Sequence, residues 1–392
     1  MKLPLKRAVL AYSGGLDTSI IIPWLKENYG CEVIAYIANV GQIDGPEEAQ
    51  RKAYKTGADK VFVEDLRGEF VVDYLWPLVK SGASYEGSYL LGSSIARPLI
   101  AKRQVEIALR EGADALVHGC EPKGNDQVRF ELVYKTFAPQ LRIVAPWREW
   151  EIQSRREAIA YARERNIPIR TTEEKIYSHD SNLWHFSHEG GILDDPAEPP
   201  PHDIFELTLD PAVCPDGDSE ITIDFEEGVP VGLNGIPIPP VQLIEDLNEI
   251  AGTNGIGRAD LVENRILGLK SRGVYETPGG TLIMAAHREL EALVLDRQTC
   301  RQKDTLAVTY AQLVYDGQWF TPLREALDAF FAKTNQNITG SVTLSLYKGN
   351  LTVKSRRSPH SLYHKEIPSF GSGETKHQDA EGFIKFSGLK AV

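Results

Sequence analysis

The chain has 392 residues, with 43 Lys and Arg against 55 Asp and Glu, giving a net charge of -12. That length favours two domains over one core, and hydrophobic residues at 42% with charged residues at 25% are those of a soluble globular protein. An acidic chain is a poor general nucleic-acid binder, since phosphate backbones require a basic face, so no nucleic-acid partner is expected. Cys31, Cys120, Cys214 and Cys300 form no Cys-x-x-Cys pair, which argues against a zinc site or a disulfide framework and for reduced thiols in a cytoplasmic protein. The start, Met1-Lys2-Leu3-Pro4-Leu5-Lys6-Arg7, lacks the apolar core of a signal peptide. No apolar run approaches the roughly 20 residues of a membrane span, so no membrane partner is expected.

The first 170 residues alternate short apolar runs with helical patterns. Strands are predicted at 7–11, 32–37, 60–64, 115–118 and 142–145, and helices at 18–29, 46–56, 69–80, 95–110, 127–137 and 154–166. The last opens on Ser154-Arg-Arg-Glu157, a capping box. Alternating strands and helices imply a parallel sheet covered on both faces. Ligands of such sheets bind beyond the carboxyl ends of the strands.

The loop after the first strand is the most informative stretch. Ala11-Tyr12-Ser13-Gly14-Gly15-Leu16-Asp17-Thr18-Ser19 puts two glycines and three serine or threonine hydroxyls where a strand turns into a helix. The first amides of a helix lack internal partners and face an anion favourably, and glycine lets a phosphate oxygen approach the backbone. Pro23 is expected to kink the helix that follows. Ser-Gly-Gly-x-Asp-Thr-Ser resembles the pyrophosphate loop of the N-type ATP pyrophosphatases. It does not match Gly-x4-Gly-Lys-[Ser/Thr], because no lysine follows the glycines until Lys26. The resemblance implies cleavage of ATP to AMP and pyrophosphate. Asp17 would repel phosphates unless Mg2+ bridges them, and Mg2+ prefers one or two carboxylates plus phosphate oxygens. Asp17 is therefore read as a metal-side residue.

After the fourth strand, 119–131 is dense in polar groups, with Asn125, Asp126 and Arg129 entering a helix. Asp126 and Arg129 share a helix face, and spacing alone favours an Asn/Asp N-cap with an intrahelical ion pair. Residues 177–191 hold His179, His185 and His188 at spacings that fit no zinc motif, so surface or hydrogen-bonded histidines are expected. Pro196 to Pro201 reads as a proline-rich hinge or loop. From 203 to 233 the alternation predicts antiparallel strands. A helix is predicted at 240–251. The charged, glycine-bearing stretches 255–265 and 270–280 read equally as a binding surface or as solvated loops. Helices at 281–294 and 323–335 and strands at 340–349 and 351–354 complete a second, α+β half.

Several blocks together resemble the argininosuccinate synthase family from end to end: AYSGGLDTS at 11–19, YLLGSSIARPLIAK at 89–102, KGNDQVRFE at 123–131, APWREW at 145–150, GIGRADLVENR at 255–265, KSRGVYETPGGT at 270–281, then LYKGN and DAEGFIK. The resemblance implies an α/β chain. A parallel-sheet nucleotide-binding domain of the ATP pyrophosphatase type would occupy 1–170. An α+β synthetase and multimerisation domain would occupy 171–365, and a short oligomerisation tail 366–392. It implies ligation of citrulline and aspartate with ATP through citrullyl-AMP, in a cytoplasmic homotetramer of arginine biosynthesis. ATP would be held by Ala11, Tyr12, Ser13, Gly14, Gly15, Leu16, Asp17, Thr18, Ser19, Ala38 and Gly119. Citrulline would be held by Tyr89, Ser94, Asn125, Arg129, Ser178, Ser187, Glu263 and Tyr275. Aspartate would be held by Glu121, Asn125 and Asp126. Asp17, Asn125, Asp126 and Arg129 would carry the catalysis.

Two departures stand out. Glu121-Pro122 occupies the place where the family has Thr-Gly, and that threonine contacts aspartate. Glu121 would set a negative charge near an anionic substrate, and Pro122 fixes φ near about -65° in a loop otherwise built on glycine. The expectation is weakened aspartate use or, alternatively, a catalytically impaired nucleotide-binding homologue. Gly382 and Gly388, weak helix formers, stand in the tail, which weakens the expectation of a stable tetramer.

Overall fold

The computed structural model describes residues 4–152, 154–168, 177–367 and 378–389. Strand β1 (Arg7–Ala11) is followed by α1 (Leu16–Tyr29), β2 (Glu32–Asn39), α2 (Pro46–Lys55) and β3 (Lys60–Asp65). A helical run comes next: α3 (Arg67–Glu69), a π-helical segment Phe70–Leu75, and α4 (Trp76–Ser81). Then come α5 (Gly92–Arg110), β4 (Ala115–Val117), α6 (Asp126–Phe137), β5 (Arg142–Val144) and α7 (Arg155–Glu164). The strands form one sheet in the order β3-β2-β1-β4-β5, every pairing parallel.

The apolar runs explain this sheet. Ala8, Val9 and Leu10 are all fully buried, as a strand covered on both faces requires. Ala8 and Leu10 pack with α1 and α7, while Val9 packs with α5 and α6. The chain runs outward from β1 in one direction through β2 and in the other through β4. That switch point opens a crevice at the carboxyl ends, beneath the loop 12–15 and the loop after β4.

Pro23 lies inside α1, which continues through it to Tyr29. The predicted helix 69–80 exists but is not uniformly α-helical. Pro77 lacks an N–H and crowds the carbonyl four residues back, and a wider π turn precedes it. Ser154 Oγ accepts from the Glu157 N–H at 3.3 Å, so the predicted cap forms.

The second half holds two antiparallel sheets. A four-stranded sheet has the order β11-β12-β7-β6, from β6 (Ser178–Ser181), β7 (Phe186–Glu189), β11 (Arg258–Asn264) and β12 (Lys270–Glu276). A five-stranded sheet, β10-β9-β8-β13-β14, uses β8 (Ser219–Glu226), β9 (Val229–Leu233), β10 (Ile236–Pro237), β13 (Gly340–Tyr347) and β14 (Asn350–Arg357). Helices α8 (Pro240–Thr253), α9 (Pro278–Val294), α10 (Arg297–Tyr315) and α11 (Pro322–Asn335) pack around these sheets, and α12 (Asp379–Gly388) ends the described chain. Phe70, Leu75, Ile95 and Leu99 of the first half share a core with Ile223, Leu243 and Ile283 of the second. The division expected at 170/171, like Ile169, lies outside the described residues.

Two expectations are corrected. Residues 203–218 are not strands: the N–H groups of Glu206, Leu207 and Thr208 donate to the Glu276 carboxylate at 2.9, 3.0 and 2.8 Å, so a side chain takes the donors that a ladder would use. The stretches 255–265 and 270–280 are not solvated loops, since most of each forms one hairpin, β11 against β12, with Glu263 opposite Ser271. Their charges mask a period of two. His185 and His188 are the hydrogen-bonded kind of the two expected: both are fully buried, with Nε2 of His185 at 3.0 Å from Ser93 Oγ and Nε2 of His188 at 2.9 Å from Glu276. Among the described residues no helix is long and apolar enough to cross a membrane.

The core position of β1 sets an expected outcome. Leu10→Ala should cost about 2–5 kcal/mol, read as a lower midpoint in a denaturant titration with an unchanged slope.

Candidate active site

A cleft of about 580 Å³ opens between the carboxyl ends of the parallel sheet and the sheet β11-β12-β7-β6. Its floor at one end is the loop into α1. Gly15 is the N-cap of α1 and makes no side-chain cap, which leaves the first amides of the helix to an anion. Gly14 has φ +80°, and a Cβ there would lie 3.1 Å from the Cβ of Ala49 on α2. The loop is held from within by Ser13 Oγ, 3.2 Å from Thr18 Oγ1 and accepting from the Gly15 N–H at 3.3 Å. From α2, Lys52 Nζ donates to the Gly14 carbonyl at 2.5 Å. A lysine therefore does stand at this loop, supplied by another helix and invisible to a motif read along the chain.

The other end is built from pairs. Arg97 of α5 is held between Asp126 of α6 at 2.8 Å and Asp180 of β6 at 2.7 Å. Burial works to raise the Asp126 carboxyl, but Arg97 and Arg129 outweigh it and hold the group below its ordinary value. Asp180 is depressed further, burial being overcome by Arg97 and by His185. Asp126 also takes Arg129 Nη1 at 2.8 Å, which is the ion pair read from the spacing. Arg129 Nε donates to the Tyr315 carbonyl at 2.8 Å.

The N-cap half of that reading is corrected. Asn125 makes no side-chain cap. Its Nδ2 donates to the Tyr315 hydroxyl at 2.8 Å and its Oδ1 accepts from the Ile266 N–H at 3.0 Å. A nearly buried amide must satisfy both ends, and here the second half of the chain supplies both partners. Glu263, 3% exposed, accepts from the Tyr275 and Tyr315 hydroxyls, each at 2.8 Å. Burial and Glu263 push both phenols up, so they remain donors. Tyr89 stacks on Tyr275 with ring centroids 4.3 Å apart.

The loop 119–125 accommodates proline. The Gly124 N–H donates to the Glu121 carbonyl at 3.0 Å, closing a β-turn with Pro122 at its second position, where proline's fixed φ is favoured. Gln127 Nε2 donates to the Pro122 carbonyl and, at 3.1 Å, to the Gly124 carbonyl. The expected conflict between proline and this loop does not arise. Glu121 is exposed at the cleft rim.

The predicted residues Ala11 through Thr18, Ala38, Tyr89, Gly119, Glu121, Asn125, Asp126, Arg129, Ser178, Ser187, Glu263 and Tyr275 all line this cleft. Ser19 and Ser94 do not. Ser19 is buried behind the loop, its Oγ donating to the Gly15 carbonyl at 2.6 Å, and Ser94 is fully buried beside the cleft-lining Ser93. Arg97, Asp180, Glu189, Arg265 and Tyr315 were missed: each is one ordinary polar residue, and only the fold brings them together. No group of three or more metal-ligating side chains occurs among the described residues, and burial pushes the Cys120 thiol well up, away from nucleophilic use.

Residues 7–168 match the model of the Arginosuccinate synthase N-terminal HUP domain, and residues 177–392 that of the Arginosuccinate synthase C-terminal domain. The chain belongs to the argininosuccinate synthase family. It is 58% identical over 391 residues to the argininosuccinate synthase of Roseiflexus sp. (strain RS-1), covering 99% of this chain and 96% of that one. It is 58% identical over 385 residues to that of Carboxydothermus hydrogenoformans, covering 98% and 96%. The chloroplastic argininosuccinate synthase of Arabidopsis thaliana is 55% identical over 387 residues, covering 98% of this chain and 78% of the plant protein. Within the synthase family fold, the cleft joins an anion-binding loop to a wall of paired charges and phenols.

Arg97 makes a measurable claim. Arg97→Met leaves Asp126 and Asp180 buried without their shared cation, and should cost roughly 3–5 kcal/mol at neutral pH. Both folded-state carboxyls lie below the unfolded value of about 3.9, so their stabilisation is present above that pH and lost as pH falls through the folded values. Denaturant titrations at about pH 7 and about pH 3 should show the gap between wild type and variant narrowing in acid.

Proposed function

We infer that this cleft ligates citrulline to aspartate at the expense of ATP, giving argininosuccinate, AMP and pyrophosphate through citrullyl-AMP. The observation that carries this reading is the single cleft in which the loop Ser13 to Thr18 faces Arg129, Asn125 and Glu263. In this reading the loop and the first turn of α1 hold the β- and γ-phosphates, assisted by Lys52, while Ala38 and Gly119 border the nucleoside. Arg129 meets the citrulline carboxylate, and Glu263, Ser178, Ser187, Tyr89 and Tyr275 meet its amino and ureido groups. Asn125 lies between the two amino acids, with Asp126 and Glu121 on the aspartate side.

No covalent nucleophile of the protein is required. The ureido oxygen attacks the α-phosphorus and pyrophosphate leaves; the aspartate amine then displaces AMP. Catalysis therefore rests on positioning and on neutralising phosphate charge. Asp17, in the first turn of α1 and lining the cleft, suits Mg2+, since a single carboxylate leaves most of the octahedron to phosphate oxygens and water. A bound Mg2+ would neutralise phosphate charge there. We further propose a homotetramer assembled through α12, whose Phe383, Ile384 and Phe386 are 73%, 66% and 70% exposed, and a cytoplasmic location, in keeping with four unpaired thiols.

Pyrophosphate release with ATP, citrulline and aspartate together, against each omission, tests the reading. Steady release of pyrophosphate is expected only when citrulline and aspartate are both present. Release independent of citrulline would set it aside. At the rim, Glu121 repels a carboxylate of the incoming aspartate; two like charges at about 4 Å cost about 1 kcal/mol in water, roughly a factor of five. Glu121→Thr, with Pro122 left in place, is thus expected to lower the KM for aspartate about fivefold with the citrulline KM unchanged. An unaltered aspartate KM removes Glu121 from the recognition of that substrate.

A further inference from the structure

The second step needs a proton acceptor. Aspartate arrives as an ammonium, which has no lone pair to attack with. Five carboxylates stand at this end of the cleft: Asp126, Asp180, Glu189, Glu263 and, exposed to solvent at the rim, Glu121. Asp126 and Asp180 are neutralised by Arg97. Glu263 is capped at both oxygens by phenols. His118 is engaged at both ring nitrogens, by the Cys120 N–H at 3.3 Å and by Glu131 at 3.1 Å.

Glu189 differs. It lies on β7 two residues after Ser187, hence on the same face of the strand, and both line the cleft. Its Oε2 accepts from Arg265 Nη2 at 2.8 Å, and its Oε1 has no hydrogen bond among the described residues. The same guanidinium donates through Nη1 to the carbonyl of Lys123 at 3.2 Å, in the turn on the aspartate side. One open carboxylate oxygen therefore sits between the residues assigned to citrulline and the loop assigned to aspartate.

We propose that Glu189 is the general base that takes a proton from the aspartate ammonium before it attacks citrullyl-AMP. The proposal rests on the functional reading above. The freed lone pair forms the new N–C bond. The C–O bond to AMP breaks with its electrons going to the departing phosphate, and a second amine proton passes to the isourea nitrogen to give the guanidinium. Glu189 then returns its proton to water in the cleft. Its surroundings suit the task. Burial pushes the carboxyl up; Arg265 of the turn after β11 draws it back only in part, while Glu263 of β11, Asp126 of α6 and Asp180 of β6 push it further, to about 7. A base poised near the working pH transfers protons most effectively.

Two activities separate the steps. Citrulline-dependent exchange of labelled pyrophosphate into ATP, without aspartate, reports the first; argininosuccinate formation reports both. Glu189→Gln is expected to keep exchange within about twofold and to lose ligation by about 100- to 10,000-fold, with Glu189→Asp restoring part of it. In the wild type, ligation should fall on the acid side of about 7 while exchange stays level. Hydroxylamine, unprotonated at neutral pH, should trap citrullyl-AMP equally well in wild type and Glu189→Gln. If wild type exchanges but Glu189→Gln loses exchange and ligation together, the base role is overturned. Where the variant does not fold, the wild-type profiles decide: a shared acid limb overturns the role, and a limb confined to ligation supports it. Absence of citrulline-dependent exchange in the wild type would overturn the functional reading, and the role of Glu189 with it.

Discussion

The cleft depends on one buried cation. Arg97 stands on α5, behind the parallel sheet, and binds one carboxylate from the helix after β4 and another from the first strand of the second half. Its side chain is 15% exposed, so the charges are poorly screened. Arg129, paired with Asp126, supplies the second positive charge, so the four groups balance and removing any one would leave a buried charge unmatched. Geometry is fixed as a result: Asp126 can hold Arg129, and β6 can present Ser178, only where Arg97 puts them.

Around this centre the two halves, which already share an apolar core, are also stitched by polar atoms. Asn125, Tyr315 and Glu263 form a chain from α6 through the end of α10 to β11. Arg265 continues it to the Lys123 carbonyl and back to Glu189. Such a network is worth most when every member is satisfied. Asn125, Glu263 and Glu189 are thereby each oriented by a partner from a different segment.

The parallel sheet was largely legible in the sequence because strands buried on both faces read as apolar runs, as with Ala8, Val9 and Leu10. The anion loop was legible because phosphate binding makes local demands on consecutive residues. Legibility failed where long-range contacts overrode local pattern. Residues 206–208 looked like strand, but Glu276 captures their N–H groups. Residues 258–264 read equally as a binding surface or a solvated loop, but their charges alternate across a hairpin. Asn125 looked like a cap, yet its amide faces Tyr315, which is 190 positions away. Ser94 stood in a matching block and is buried one position from the wall that Ser93 lines. Arg97, Glu189 and Arg265 carry no local signature, since their meaning is whom they meet.

Pro122 closes the aspartate-side turn together with the clamp from Gln127. A proline at that place removes conformations from the unfolded chain more than it adds contacts to the folded one. A loop already frozen has little freedom left to surrender when a small amino acid arrives, so less of the contact energy is spent on ordering it. The rim thus combines an electrostatic penalty from Glu121 with an entropic advantage from Pro122. In the proposed function, these two neighbours push aspartate binding in opposite directions.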